Sequence, residues 1–301
     1  MYHRLRMSDF VWRNITNKKS INFFRSSGRS LDTTRERIVS ELATDGISFA
    51  RIEDFFSSER ISLLNAYVES RVRDQRVVRE IERGVSDNKS KSYNVNLLET
   101  NVFSEDSPLL AILLDPKIIG LVNAYMGMYS KFRGYRLWAS LPVPKGSSEV
   151  ASQAWHRDPE DKKIVKIFVY YSDVDENSGP FTYIKESHVS RGKWSHLYPQ
   201  LFPAGSYPPR GALEKIIPQS SIVQAKGKKG TMVFCDTSGF HKGGYCTLYK
   251  RIMSIGAYAS AASREPINFA YPKDFVLPAD PSLHYALDNW ELHKSYTPSG
   301  M

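Results

Sequence analysis

His156 and Asp158 stand two residues apart in the run Trp-His-Arg-Asp, and in extended backbone that spacing sends an imidazole and a carboxylate to the same side. A divalent metal with open positions for reactants is often held by two imidazoles and one carboxylate on one face of an octahedron. The pair supplies two of those ligands, and the third must come from a segment distant in sequence and adjacent in space. Seven histidines are available. His3 falls in a basic N-terminal stretch, His284 and His293 in the tail, and His188 and His196 close to the pair itself. His241 stands apart: it follows the apolar run TMVFC (231–235) and the turn DTSGF, and it precedes Lys-Gly-Gly. That setting places an imidazole at a strand end with room around the backbone.

Ten residues beyond His241, Arg251 opens the run RIMSIGAYA. If Arg251 points inward, strand alternation turns Met253, Ile255 and Ala257 inward with it. A guanidinium would then share an apolar face. An unpaired buried charge is costly, no acidic residue in that strand offsets it, and the carboxylate of a bound ligand is a candidate partner because arginine captures carboxylates bidentately.

These residues need a framework. The His-Asp pair precedes an apolar run (164–171), a loop rich in Asp, Asn, Ser, Gly and Pro, and a second short run from Phe181; sites are commonly built at such strand edges. From 131 onward, short runs of Val, Ile, Phe, Tyr and Thr alternate with Gly, Pro and Asn turns, the pattern of an all-β sandwich or barrel, with strands expected at 132–141, 164–171, 181–184, 231–235 and 251–258. Upstream the pattern is helical. Asp32 is placed to cap a helix bearing Ile38, Val39, Leu42 and Ala43 and ending before Gly46. A strand is expected at 47–52. Asp54 or Ser57 then opens a longer helix with Ile61, Leu64, Tyr67, Val68 and Val72 on one face, running towards Gly84. A helical stretch over 108–126 is interrupted at Pro116, where Asp115 caps a new helix with Pro at its first position. Residues 85–96 read as a polar surface loop. Segment 194–219, heavy in Pro, Tyr and Gly, reads as an insertion of the kind that forms lids, and the tail places Trp290 and His293 on an expected last helix.

At 301 residues, 41% hydrophobic and 24% charged, the chain is an ordinary globular one with a sizeable core. Cys235 and Cys246 are too few for a disulfide framework and read as reduced thiols. The longest uncharged apolar stretch, 118–129, falls short of the roughly 20 residues a bilayer span needs, so no membrane span is expected. The first residues lack the apolar core of a secretory signal. The expected compartment is the cytoplasm, with an organelle as the alternative if the Arg-rich start is a transit peptide. Of the net charge of +9, residues 1–40 hold +6, nine Lys or Arg against Asp9, Asp32 and Glu36. A solvated basic arm over 1–31 explains that surplus better than a nucleic-acid surface, and nucleic acid is not an expected partner.

Taken in order, His156-x-Asp158, His241 and Arg251 resemble the iron(II)- and 2-oxoglutarate-dependent dioxygenases. The filling between them, SDVDENSGPFTYIKESH, is similar to the turn and strand that end in Pro-Gly-Ser-His in the phytanoyl-CoA dioxygenase-like family. Lys185 and Glu186 stand where that family has Pro-Gly. The resemblance spans residues 40–260, including the Asp-Gly-Ile entry at 45–47. It implies a mainly β fold with α, a double-stranded β-helix (the jelly-roll barrel of cupins) with N-terminal helices packed on one side. The domain is expected over 32–265, between the arm 1–31 and a tail 266–301 packed on the domain. The resemblance further implies iron(II) on His156, Asp158 and His241, 2-oxoglutarate held by Arg251, and hydroxylation of a C–H bond by dioxygen with release of succinate and CO2. Lys166 shares a face with Phe168 and Tyr170 and is expected beside the 2-oxoglutarate. Arg136, Trp155, Arg157 and Tyr170 are expected against a small polar or anionic substrate.

His-Arg-Asp also opens the catalytic loop of protein kinases, which needs Asn five residues after the Asp; Lys163 stands there, and the glycine-rich loop and Asp-Phe-Gly motif are missing. His188 is expected to serve structurally at the end of its strand. A second function class remains, a cupin-like metal-binding module that recruits a partner without oxygenase activity.

Overall fold

The computed structural model describes residues 5–28, 30–83, 93–144, 146, 147, 149, 151–199 and 207–288. Helices come first. A short helical turn, Asp9–Val11, passes through a π-helical stretch, Trp12–Thr16, into α1 (Lys18–Ser26). Then α2 (Thr33–Thr44) begins where Asp32 accepts the Arg35 amide at 2.9 Å, and it buries Ile38 and Leu42. Gly46 leads into β1 (Ile47–Arg51) with φ +80°, and a Cβ there would lie 2.3 Å from the Tyr183 hydroxyl, so the Asp-Gly-Ile entry needs its glycine. The helix expected to run towards Gly84 is two helices, α3 (Ser58–Val72) and α4 (Gln75–Arg83). Asp74 breaks it by turning its carboxylate onto the amides of Arg76 and Val77. After β2 (Asn94–Asn96) come α5 (Pro108–Leu113) and α6 (Pro116–Met126), the latter capped by Asp115 and ended by Gly127 in the left-handed conformation.

The β core follows with β3 (Lys131–Ser140), β4 (Ile164–Tyr170), β5 (Phe181–Ile184), β6 (Ile222–Ala225), β7 (Thr231–Asp236), β8 (His241–Lys242) and β9 (Arg251–Ala259), and α7 (Pro281–Leu287) lies in the tail. Six strands make an antiparallel sheet in the order β1-β7-β4-β9-β3-β2, and three make a second, β6-β5-β8. Alternation divides the large sheet's side chains. Val165, Ile167, Val169, Met232 and Phe234 face the helices, where they join Leu42, Leu64 and Leu113. Phe168, Tyr170, Val233, Cys235 and Met253 face the small sheet, where Phe168 meets Phe181 at a ring distance of 4.7 Å. The architecture is the expected jelly roll, mainly β with helices on one side.

The N-terminal segment differs from the expected solvated arm. Trp12 is 4% exposed and donates from Nε1 to Asp161 at 2.6 Å, Asn17 donates to Ser260 Oγ at 3.1 Å, and Arg6 donates to the Glu160 carbonyl at 3.1 Å. The π-helical stretch shifts the phase of the apolar positions on either side of it, so no regular period shows in the sequence. Trp290 and His293 lie outside the described residues, as do 84–92 of the expected polar loop and 200–206 of the insertion. No helix among the described residues is long and apolar enough to cross a membrane.

Candidate metal centre

The chain leaves the large sheet at Asp236 and enters the small one at His241 through a turn held at both ends. Asp236 accepts the amides of Ile164 (3.2 Å) and Ser238 (3.0 Å) and the Tyr125 hydroxyl (2.5 Å), while its carbonyl takes the Tyr183 hydroxyl at 2.9 Å. His241 then pairs with His156, each amide donating to the other's carbonyl at 3.0 Å, and the Asp158 amide donates to the Thr237 carbonyl at 3.0 Å. These ladder bonds bring His156, Asp158 and His241 together, with ligand atoms all within 4.8 Å of one another. Each imidazole is oriented from behind: Nδ1 meets the Ala154 carbonyl (His156) or the Gly239 carbonyl (His241) at 2.9 Å. A proton on Nδ1 satisfies each carbonyl and puts the ring's lone pair on Nε2, and both Nε2 atoms lie 3.8 Å from Asp158 Oδ1. Two nitrogens and one oxygen on one face suit a divalent first-row metal with positions left open.

Lys166 closes the other side of the carboxylate. Its Nζ donates to Asp158 Oδ2 at 2.7 Å, so Oδ1 alone faces the imidazoles. Burial opposes ionisation of Asp158, yet Lys166, His241 and His156 hold its carboxyl well below the usual range. Burial, and then the neighbouring His156, pushes His241 down to about 3, so it offers a neutral ring at physiological pH.

A cavity of about 470 Å³ opens in front of the three ligands. Arg251 lines it, paired in register with Ser140 of β3, and is 4% exposed. Its Nε and Nη1 have no hydrogen-bond partner among the described residues, and Nη2 reaches Ser140 Oγ only at 3.5 Å. Trp138 lines the same cavity, and its Nε1 is a further buried donor without a partner among the described residues. Orphaned donors around a buried guanidinium fit a carboxylate-bearing ligand beside the metal.

No protein-family model matches the sequence, and no curated protein matches it. Solved structures do. The epimerase SnoN, solved in complex with Fe3+, alpha ketoglutarate and nogalamycin RO, superposes with a TM-score of 0.54 over 82% of this chain and 91% of its own, at 14% identity. EctD from S. alaskensis, in its apoform, superposes with 0.54 over 81% of this chain and 82% of its own, at 18% identity. SnoK, a non-heme alpha ketoglutarate dependent carbocyclase from nogalamycin biosynthesis, superposes with 0.50 over 77% and 87%, at 15% identity. The chain has their fold.

Within that fold the residues singled out in the sequence fare differently. Arg136 lines the cavity at an exposed position. Lys166, expected beside 2-oxoglutarate, is committed to Asp158 instead. Arg157 borders the cavity, but its terminal nitrogens donate to the carbonyls of Ser187, Ser238, Trp194 and Leu197 and its guanidinium lies over Phe240 at 3.8 Å, so it ties the insertion to the turn before His241. Trp155 and Tyr170 do not line it. Trp155 donates to Glu214 at 2.7 Å within an apolar cluster, and the Tyr170 hydroxyl donates to the Ala225 carbonyl at 2.8 Å. His188 is buried behind Gly46, away from the cavity. Lys185 pairs with Asp45 at 2.7 Å, and Glu186 holds the turn with φ 57°, the conformation a glycine would otherwise supply. Neither lines the cavity. The sequence did not point to Glu160, Glu265 or Asn268, which do, or to Tyr207, whose ring stacks on His156 at 5.5 Å.

Proposed function

We propose that this chain is a mononuclear iron(II)- and 2-oxoglutarate-dependent dioxygenase, similar to the phytanoyl-CoA dioxygenase-like family, that hydroxylates a C–H bond of a small polar molecule. One observation carries the reading. The cavity that gathers His156, Asp158 and His241 also holds the guanidinium of Arg251, buried and without a charged partner among the described residues; a module that only binds metal has no use for it. Among structures of the same fold, SnoN was solved with Fe3+ and alpha ketoglutarate, and EctD with 2-oxoglutarate and 5-hydroxyectoine.

His156, Asp158 and His241 would hold iron(II), and Arg251 2-oxoglutarate, and the pair would supply the activation of dioxygen for oxidation of the substrate, with succinate and CO2 as the coproducts. The chain's own part is positional. His156 and His241 present Nε2 because main-chain carbonyls hold Nδ1, and Asp158 presents Oδ1 because Lys166 occupies Oδ2. Arg251 would receive the distal carboxylate of the cosubstrate, with Ser140 Oγ accepting from its Nη2 at 3.5 Å while donating to Asn94 at 2.7 Å. Phe168, Phe181 and Met253 keep that end of the cavity apolar. Tyr207, in the 194–219 insertion, covers His156 from the other side, as a lid residue does.

The test is succinate formation from 2-oxoglutarate by the purified chain with and without iron(II). Formation that requires the metal and stops in Asp158→Ala, with the melting temperature retained, supports the reading. Formation that continues without the metal or in the variant rules it out.

A further inference from the structure

One wall of the cavity is made by the segment that follows β9, and it carries a carboxylate that the proposed reaction leaves unused. Arg133 donates from Nε (2.9 Å) and Nη2 to the Glu265 carbonyl. Asn268 accepts the Tyr135 amide and donates to the Tyr135 carbonyl, both at 3.0 Å. This happens where β3 has Gly134, and a Cβ there would lie 1.9 Å from Asn268 Oδ1. The main chain at 265–268 is therefore fastened to β3, which fixes the Glu265 side chain in the cavity wall. Its Oε2 is buried and has no hydrogen-bond partner among the described residues. Glu160 lines the same cavity, and its main chain is fixed as well, its carbonyl accepting Arg6 at 3.1 Å and the Arg264 amide at 3.0 Å.

Apart from Arg136, the basic residues around the cavity are engaged elsewhere. Arg157 is held by five carbonyls, Lys166 by Asp158 and Arg133 by the Glu265 carbonyl, while Arg251 is needed for the cosubstrate. What remains turned to a substrate is two carboxyl groups, with Arg136 alone at the exposed side. We infer that Glu265, together with Glu160, receives a cationic nitrogen, so that the substrate of this cavity is an amine or guanidine rather than an acid; the inference rests on the dioxygenase reading of the same site. Burial raises the Glu265 carboxyl from its ordinary value despite the charges of Lys166, Arg133 and Arg136 nearby, none of which donates to Oε2, and a cation delivered there would favour the ionised form and supply the missing donor in one charge-assisted hydrogen bond.

The test uses the full chain loaded anaerobically with iron(II) and 2-oxoglutarate and titrated with putrescine, agmatine and L-lysine, with 1,4-butanediol and adipate as the neutral and anionic counterparts. Binding is read as the rise in melting temperature. The amines are expected to raise it and adipate and the diol to leave it unchanged. Glu265→Gln should weaken the amines about tenfold to a hundredfold, Glu265→Asp should keep the preference, and Glu265→Lys should transfer it to adipate. The melting temperature of each unliganded variant shows that it is folded. A response to adipate equal to that of the amines, amine binding unchanged in Glu265→Gln, or no response to any amine overturns the inference. Consumption of 2-oxoglutarate in the absence of any probe separates the two claims. Iron-dependent consumption without amine preference removes the inference and leaves the dioxygenase, whereas no consumption either with or without an amine removes the dioxygenase reading and with it the inference.

Discussion

Arg251→Met removes a charge while keeping most of a side chain's volume, and its effect should change sign between the chain alone and the chain with cosubstrate. Alone, Arg251 is 4% exposed, with two nitrogens unpartnered and a third at 3.5 Å from Ser140 Oγ. The ionisable groups that feel its charge are Tyr93, Tyr170 and Cys246, each kept protonated by burial. No carboxylate in an ion pair among the described residues offsets it. Removing such a charge should leave the fold as stable as before or more stable, by up to about 2 kcal/mol. With 2-oxoglutarate the same change deletes a desolvated, bidentate contact, which costs about 3–4 kcal/mol, a rise in Kd of roughly a hundredfold to a thousandfold. At a cosubstrate concentration 100 times the original Kd, ligand stabilisation is about 2.7 kcal/mol, and after a hundredfold loss of affinity it is about 0.4 kcal/mol. In a chain of this size 1 kcal/mol moves the midpoint by about 2 °C, so the shift induced by 2-oxoglutarate should fall from about 5 °C to under about 1 °C. Anaerobic thermal melts with iron(II), at matched cosubstrate concentrations, read both numbers. Arg251→Lys should fall between, because it keeps the charge and loses the fork. If Arg251→Met melts several degrees lower without cosubstrate and keeps the full cosubstrate-induced shift, Arg251 is a structural residue and the assignment is wrong.

Two further predictions concern the surroundings of the centre. Burial, and then the charge of Asp158, raises the Glu160 carboxyl from 4.5 to about 7. A folded-state value above the unfolded one means that the contribution is intact below about 4.5 and is lost as the pH rises through about 7. Glu160→Gln in the metal-free chain should therefore melt close to the parent at pH 5 and above it at pH 8, by the equivalent of about 1–3 kcal/mol; an equal difference at both pH values refutes the account. Trp12→Ala should cost about 3–5 kcal/mol in urea unfolding, since it empties a buried ring site and takes the Nε1 donor from Asp161. An unchanged midpoint would show that the N-terminal segment adds nothing to the fold.

Much of the framework could be read locally. Asp32, Ser57 and Asp115 cap helices within three residues of themselves, and strand alternation reports burial without knowledge of the partner strand. The ligand pair was legible for the same reason, since two residues of extended chain fix their relative direction. Contacts made by closing the fold were not. Nothing local says that Lys166 meets Asp158, or that Glu265 reaches the cavity through bonds to β3. The two buried arginines show where the boundary lies. Arg157 sits in a segment flanked by turns, where the carbonyls of Ser187, Trp194, Leu197 and Ser238 accept from its side chain. Arg251 begins β9, which runs between β3 and β4. There the β3 ladder pairs Arg251 with Ser140, the Tyr171 amide takes the neighbouring Ile252 carbonyl, and the side chain is left facing Ser140 Oγ and the cavity. Burial and charge are the same for both residues; what differs is whether acceptors remain within reach. An arginine so placed can take an acceptor only from across the cavity, which is why we propose that the carboxylate of the cosubstrate supplies it here.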